Sequence, residues 1–192
     1  MSKGRLEAFS DGVLAIIITI MVLELRPPEG VDLESLVALG PKFLSYVLSF
    51  VLVGIYWNNH HHLLQAAQTI NGRVLWANLH LLFWLSLLPF GTAWMGEHSF
   101  APVPVAVYGV ILLAAALAYT ILARTLIAVQ PEGSPLRTAL GRRDHKGEAS
   151  ILLYAVGALI AIVAPLAGFA CYVIVAAIWF VPDQRIERVV AR

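Results

Sequence analysis

Charged side chains are scarce in this sequence. Of its 192 residues, 13 are Lys or Arg and 12 are Asp or Glu, while hydrophobic residues make up 59%. A soluble domain carries about 25% charged residues, so the 13% found here argues against a water-soluble globular fold. The same figures exclude a disordered chain, which needs low hydrophobicity and high charge. The single cysteine, Cys171, excludes an intrachain disulfide framework.

The few charges are also unevenly spaced. Four uncharged stretches of 30, 23, 26 and 34 residues occupy positions 43–72, 74–96, 98–123 and 149–182. A membrane-spanning helix needs about 20 mostly apolar residues, so each stretch can hold at least one. The pattern predicts an all-α integral membrane protein in which residues 1–192 form a single transmembrane domain.

Six spanning helices are predicted. The first is preceded by Lys3 and Arg5, as a secretory signal would be, but Glu7 and Asp11 interrupt that pattern and no small-residue cleavage site follows. The last uncharged stretch would be about 51 Å long as one helix, beyond a hydrocarbon core of about 30 Å, and Pro165 marks a turn within it. The predicted spans are residues 5–25, 36–57, 73–94, 104–126, 150–163 and 166–181, with residues 58–62 closing the second.

The basic residues predict the orientation of these helices. With six spans and a cytoplasmic N-terminus, 11 of the 13 Lys and Arg residues lie on the cytoplasmic side, and only Arg26 and Lys42 lie outside. A five-span alternative would put Arg185, Arg188 and Arg192 outside. We therefore expect a multi-pass protein of the lipid bilayer with both termini in the cytoplasm.

Several polar side chains fall within or beside the predicted spans. An ionisable group at the centre of a membrane helix costs about 2.5–3.5 kcal/mol, so it marks a candidate functional site. The alternative is that such groups near helix ends extend to the interface and are simply solvated. Arg5 and Asp11 lie about 240° apart on one helix and cannot pair with each other. The topology brings six polar residues to one depth near the cytoplasmic side: Arg5, Ser10, Asp11, His60, His61 and Asn78.

Other classes of function have little support. Three consecutive histidines at 60–62 lack the i, i+4 spacing of helical metal ligands, and no acidic residue lies nearby in sequence, so no metal site is expected. The sequence shows no combination of a nucleophile with a general base that would indicate an enzyme. A net charge of +1 and the absence of a basic tail argue against a nucleic-acid partner.

The first helix carries an apolar stripe. Ile16, Ile20 and Leu23 recur at i, i+4 and i+7, with Thr19 at the edge of the stripe, and Asp11 lies about 140° away from Ile16. Any spanning helix shows such a stripe, so the spacing alone does not identify a pore lining.

The same helix carries a specific motif. Arg5 is followed after three residues by Phe9-Ser10-Asp11 and then by the apolar run 12–23. This element resembles the first-helix signature of the transmembrane protein 175 family of potassium channels. The similarity extends to residues 57–61 (WNNHH), Asn78, 87–90 (LLPF) and 179–183 (WFVPD). The chain departs from the family at Gly12, where alanine is frequent, and in having a third histidine, His62.

The resemblance implies how the channel is built. Members of this family lack the carbonyl-lined filter of ordinary potassium channels, and no TVGYG-like stretch occurs here; their first helices line a central pore. By position, Ile16 matches the constricting residue, Thr19 the hydroxyl associated with selectivity, and Leu23 the outer apolar layer. Helical phase adds Ile20. The remaining motif residues are expected to form a structural polar network, consisting of Arg5, Phe9, Ser10, Asp11, His60, His61 and Asn78.

Members with one repeat, of the bacterial type, form tetramers. The resemblance therefore implies a homotetramer in a prokaryotic plasma membrane that conducts potassium passively, with K⁺ as the permeant ion and no cofactor. One alternative stays open, a proton-coupled carrier of a small solute or ion in which His60, His61 and Asp11 relay protons. An inverted repeat, typical of carriers, is not visible in the sequence.

Overall fold

The computed structural model of the chain describes residues 2–140 and 144–180, apart from the side chains of Pro135, Ala139 and Leu140. Every regular element in these ranges is an α-helix, as the composition predicts. In chain order the helices are α1 Lys3–Leu23, α2 Leu33–Ala38, α3 Gly40–Gln65, α4 Gly72–Ser86, α5 Leu88–Glu97, α6 Pro102–Val129, α7 Pro135–Leu140, α8 His145–Ala161 and α9 Pro165–Phe180.

Four segments in the described part of the chain are long and apolar enough to cross a membrane, judged by length and composition. They are α1, α3, the α4–α5 pair and α6. α9 is an apolar helix of 16 residues. The expectation of an all-α membrane protein is confirmed at this level, and α1 and α6 begin and end within three residues of their predicted bounds.

Helices α8 and α9 pack against each other as a hairpin. α8 ends at Ala161 and α9 begins at Pro165, so the longest uncharged stretch is divided at the proline, as predicted. The predicted end of the last span, residue 181, lies outside the described residues, as do residues 182–183 of the C-terminal motif. So do five of the basic residues used to orient the chain, Arg142, Arg143, Arg185, Arg188 and Arg192.

The hairpin depends on a close approach of its two helices at glycine. A Cβ atom at Gly168 would lie 2.6 Å from the carbonyl oxygen of Gly157 and 2.7 Å from Cβ of Ala161. Gly168→Ala should therefore lower the free energy of unfolding by about 1–3 kcal/mol through overpacking. Thermal unfolding in detergent, followed by circular dichroism, measures this. Gly54→Ala is the control, because open space surrounds Gly54; an equal loss in both variants would contradict the packing argument.

The second predicted helix, residues 36–57, is wrong at both ends. Its predicted start lies in the separate helix α2, and α3 begins only at Gly40. α3 runs on to Gln65, so His60, His61 and His62 lie in its last two turns and not in a loop. No glycine or proline follows Trp57 before residue 65 to stop the helix. Asn59 does not break it either, because its side-chain amide donates to the carbonyl of Ile55 one turn earlier, at 2.8 Å.

The third predicted helix, residues 73–94, is interrupted. α4 ends at Ser86, and α5 begins at Leu88. Pro89 explains the break, because its nitrogen carries no hydrogen to donate to the carbonyl of Leu85 and its ring crowds that turn. The two helices together still form one segment of spanning length, Gly72–Glu97.

A line of hydrogen bonds between buried hydroxyl groups joins α3, α5 and α6. The hydroxyl of Tyr108 lies 2.8 Å from Oγ of Ser49, which lies 2.6 Å from Oγ1 of Thr92. Thr92 in turn donates to the carbonyl of Leu88 at 2.6 Å. Each buried hydroxyl in this line therefore has a partner, which avoids the cost of an unpaired polar group.

The connection between α3 and α4 is held by two side chains from distant parts of the sequence. Nζ of Lys3 donates to the carbonyls of Gln65 and Ala67 at 2.8 and 3.1 Å, satisfying acceptors at the end of α3. Gln130, buried after α6, bonds through both ends of its amide to the backbone of residues 68–69. The start of α1 is thus held beside the end of α3, at the level of the histidines.

Candidate ion pathway

Helix α1 has two distinct faces. One face packs against α3, α4 and α5 and is buried along the whole length of the helix, at Leu6, Ser10, Leu14, Ile17 and Met21. The recurrence of these positions every three or four residues is the helical period, so one continuous side of α1 belongs to the core of the subunit.

The other face of α1 is apolar and uncovered within one chain. Ile16 is 58% exposed, Ile20 42% and Leu23 75%. Thr19 lies on the same face, and its hydroxyl donates to the carbonyl of Ile16 at 2.8 Å. The four residues predicted to line the pore therefore share one exposed surface, which we name the α1 stripe. Their role in the pore stays a prediction.

The buried face of α1 is joined to α3 and α4 by a directed line of hydrogen bonds. Nε2 of His60 lies 2.7 Å from Oδ1 of Asn78, and since an amide oxygen accepts, the imidazole donates. Nδ2 of Asn78 donates to Oγ of Ser10 at 2.9 Å, and Ser10 donates to the carbonyl of Leu6 at 2.8 Å. Ser10 and Asn78 are 0% exposed and His60 2%. The sequence predicted that these three residues would meet, and they do.

Asp11 is joined to α3 at a second point. The indole Nε1 of Trp57 donates to its Oδ1 at 3.0 Å. Asp11 thus faces a neighbouring helix and not the α1 stripe, as helical phase predicts. The ring of His61 stacks on that of Trp57, with centroids 6.0 Å apart and 24° between the planes. His61 therefore touches the network through an aromatic contact.

Two residues expected in the polar network do not join it. Arg5 and Phe9 are exposed, and neither side chain forms a hydrogen bond or ion pair within the described residues. The helical phase explains this, because Arg5 and Phe9 each lie about 20° from Ile16 around the axis. They extend the α1 stripe toward the N-terminus, on the side away from the subunit's own core.

Three contributors were missed from the sequence. Trp57 belongs to the family motif, but other polar residues of α3 share the depth of Asp11, so depth alone does not identify it as the partner. Lys3 and Gln130 carried no local signal, since their partners lie about sixty positions away. Within the described residues there is no group of three or more His, Cys, Asp or Glu that could hold a metal ion.

Trp57→Phe tests the contact between α1 and α3. The variant keeps an aromatic ring beside His61 but loses the indole N–H, so the free energy of unfolding should fall by about 0.5–1.5 kcal/mol. The loss is modest because Trp57 is 45% exposed. Chemical denaturation in detergent measures it. Trp76→Phe, on the exposed face of α4, is the matched control and should change little; equal losses would argue against this hydrogen bond.

Comparison with known proteins gives one consistent result. The family described as endosomal/lysosomal potassium channel TMEM175 matches residues 5–89, the part that holds the α1 stripe and its hydrogen-bond network. A protein named as a potassium channel from Chryseobacterium sp. is 54% identical over 188 residues, covering 98% of this chain and 97% of its own. Another so named, from Streptomyces collinus, is 35% identical over 125 residues, covering 61% of each chain.

A solved structure agrees over almost the whole chain. The crystal structure of a lysosomal potassium-selective channel TMEM175 homologue from Chamaesiphon minutus superposes with a TM-score of 0.81 and 26% identity, covering 95% of this chain and 98% of that one. The proteins that this chain resembles are ion channels and not enzymes. The motif in α1 predicted this resemblance, and the chain belongs to the TMEM175 family of channels.

Proposed function

We propose that the protein is a potassium channel in which four copies of α1 surround a central pore. The observation that carries the proposal is the division of α1 into two faces. One face is fixed to its own subunit by the Ser10–Asn78–His60 hydrogen bonds, while the α1 stripe on the other side remains uncovered. A closed symmetric assembly that gathers four such stripes removes them from lipid and forms stacked rings around one axis.

Conduction through this pore is passive. The rings of Ile16, Ile20 and Leu23 carry no charge, so an ion crosses them by losing part of its hydration shell, and the pore closes when the constriction dewets. The hydroxyl of Thr19 supplies an oxygen at the edge of the constriction. Because no charged ring or carbonyl filter lies on the stripe between residues 12 and 23, the preference for potassium over sodium should be modest.

The full topology is part of the same proposal. We infer six spans per subunit, the four long segments together with α8 and α9, because both helices of the hairpin pack against α6 and an even number of spans leaves most basic residues on one side. Both termini then lie in the cytoplasm. The named bacterial relatives support a location in a prokaryotic plasma membrane.

The alternative of a proton-coupled carrier has less support. A relay between Asp11 and His60 needs a continuous line of hydrogen bonds, but Asp11 is paired with Trp57 and His60 with Asn78. His61 contributes a ring contact to Trp57 and no hydrogen bond within the described residues. The network therefore has the character of a structural joint between helices.

Flux from proteoliposomes tests the proposal. Vesicles loaded with potassium should accumulate a potassium tracer in response to the potassium gradient alone, with no proton gradient. The rate of uptake should keep rising with potassium concentration and should not saturate as it does for a carrier. Empty vesicles and vesicles with Ile16→Trp, which should block the constriction, are the controls. Absence of both potassium and sodium flux in the wild type, or a strict need for a proton gradient, would overturn the channel proposal.

A further inference from the structure

A partly open cavity lies between helices of the bundle, away from α1. Its volume is about 50 Å³, and it is bounded by α3, α6, α8 and α9. Four of its twelve lining residues are aromatic, and aliphatic and polar side chains complete the wall: the lining includes Tyr56, Asn59, Tyr119, Ser150, Tyr154 and Trp179. None of the lining residues belongs to α1, so the cavity is separate from the proposed ion pathway.

Two tyrosines in this wall differ from the other buried tyrosines. Tyr56 is 9% exposed and Tyr154 2%, and neither hydroxyl has a hydrogen-bond partner within the described residues. By contrast, the hydroxyl of Tyr108 is paired with Ser49 at 2.8 Å, and that of Tyr172 donates to the carbonyl of Val105 at 3.1 Å. The two unpaired hydroxyls both belong to residues that line the cavity.

In the described residues the side-chain atom that is buried without a partner is Nδ1 of His62. The hydroxyl oxygens of Tyr56 and Tyr154 are therefore not sealed off but reach open space, where a hydroxyl can find a partner at low cost. At about 30 Å³ per water, the cavity has room for about one or two water molecules, and because it is partly open, a small molecule in their place can extend out of it. The partners of Tyr56 and Tyr154 are therefore to be found among the contents of the cavity.

The surrounding charges indicate a neutral occupant. The carboxylate of Asp144, which also caps α8 by accepting from the backbone of Gly147 at 3.2 Å, lines the cavity and disfavours an anion. Nζ of Lys146 lies 5.7 Å from the centre of the Trp179 ring, and this cation disfavours a second one beside it. The aromatic and aliphatic side chains of the wall favour an apolar body over water alone.

We propose that this cavity binds a small uncharged amphiphile, an oxygen acceptor attached to a short apolar group, with the hydroxyls of Tyr56 and Tyr154 donating to the oxygen. Two sources offer this chemistry. One is a free short-chain alcohol or ketone, and the other is the ester carbonyl of a bilayer lipid. Both present an acceptor oxygen next to a short apolar chain.

The probe for this site is 2,2,2-trifluoroethanol, observed by ¹⁹F NMR with the full-length protein in lipid nanodiscs. The wild type should show saturable line broadening beyond that of empty nanodiscs. The double variant Tyr56→Phe/Tyr154→Phe, which removes only the two hydroxyls, should bind at least fivefold more weakly. Ala116→Leu, which fills the cavity from α6, should abolish binding. Tyr172→Phe removes a buried hydroxyl elsewhere and should bind as the wild type does.

Nanodiscs of ester-linked and ether-linked lipids separate the two sources. Equal binding in both indicates a site for a free molecule, while binding seen only in ether-linked lipid indicates that an ester carbonyl normally fills the site; either supports the proposal. Thermal unfolding gives a second readout. Removing the hydroxyl of Tyr56 or Tyr154, which bonds to a displaceable occupant, should lower the unfolding temperature less than removing the hydroxyl of Tyr172, which bonds to the protein backbone. Broadening that never saturates, or that is equal in wild type, double variant and Ala116→Leu, would overturn it in favour of a cavity that holds water only.

Discussion

An Ile16→Asn channel is expected to conduct more potassium than the wild type and to discriminate less against sodium. The amide replaces an apolar ring at the narrowest level of the proposed pore, so an ion loses less hydration energy in crossing it. A reduction of about 1.4 kcal/mol in that barrier corresponds to a tenfold increase in rate, and we expect an effect of about this size. Planar-bilayer recording under mixed potassium and sodium gradients measures conductance and reversal potential together.

Val22→Asn is the matched control for this experiment. Val22 is also exposed on α1, at 45%, but it lies about 120° around the helix from Ile16 and so off the α1 stripe. The same amide there should leave the conductance and the reversal potential near wild-type values. If the two variants behave alike, or if Ile16→Asn leaves permeation unchanged, the α1 stripe is not the lining of the pore.

An Asn78→Leu protein is expected to lose stability, by about 2–4 kcal/mol. Leucine has a similar size, but it leaves the imidazole N–H of His60 without an acceptor in a site where all three residues are almost fully buried. Ser10 loses the hydrogen bond from Asn78 and keeps only its own bond to the carbonyl of Leu6. Each unpaired buried group costs about 1–3 kcal/mol. Denaturant unfolding in detergent gives the loss directly.

Asn58→Leu is the corresponding control. Asn58 lies on α3 two residues before His60, is partly exposed, and makes no side-chain hydrogen bond within the described residues. The same substitution there should change stability by less than about 0.5 kcal/mol, as is usual for surface sites. A similar loss in both variants would mean that the hydrogen bonds between α1, α3 and α4 contribute little, and that apolar packing alone holds α1 in place.

What the sequence could predict depended on local patterns. Each uncharged stretch is continuous in the sequence, so it indicates a spanning segment without knowledge of the segment's neighbours. In the same way, Pro165 indicates the turn of the last hairpin. The 100° step of a helix placed Asp11 on one side of α1 and Ile16 on another without any knowledge of the neighbours. Shared depth in the bilayer was enough to bring Ser10, His60 and Asn78 together.

What it could not predict depended on how helices rotate and slide against each other. Arg5 lies at the depth of the polar network but on the opposite side of α1. Depth in the bilayer alone does not show which side of a helix a residue occupies. The pairing of Asp11 with Trp57 joins residues 46 positions apart, and several polar neighbours on α3 were equally available by depth. The end of α3 lies beyond its predicted position because a run of three histidines does not stop a helix without a glycine or proline beside it. Pro89 is a local signal in the sequence for the break between α4 and α5.

The amide of Gln130 also bears on the order in which the protein assembles. All groups that join α1 to α3 and α4 are present once the first 78 residues have been made, and these could form while the chain is still being synthesised. The connection at residues 68–69 is different, because its partner follows 61 or 62 positions later. That connection lacks its amide partner until α6 has been made, so the amino-terminal helices can reach their packed arrangement before the residue that completes their junction exists.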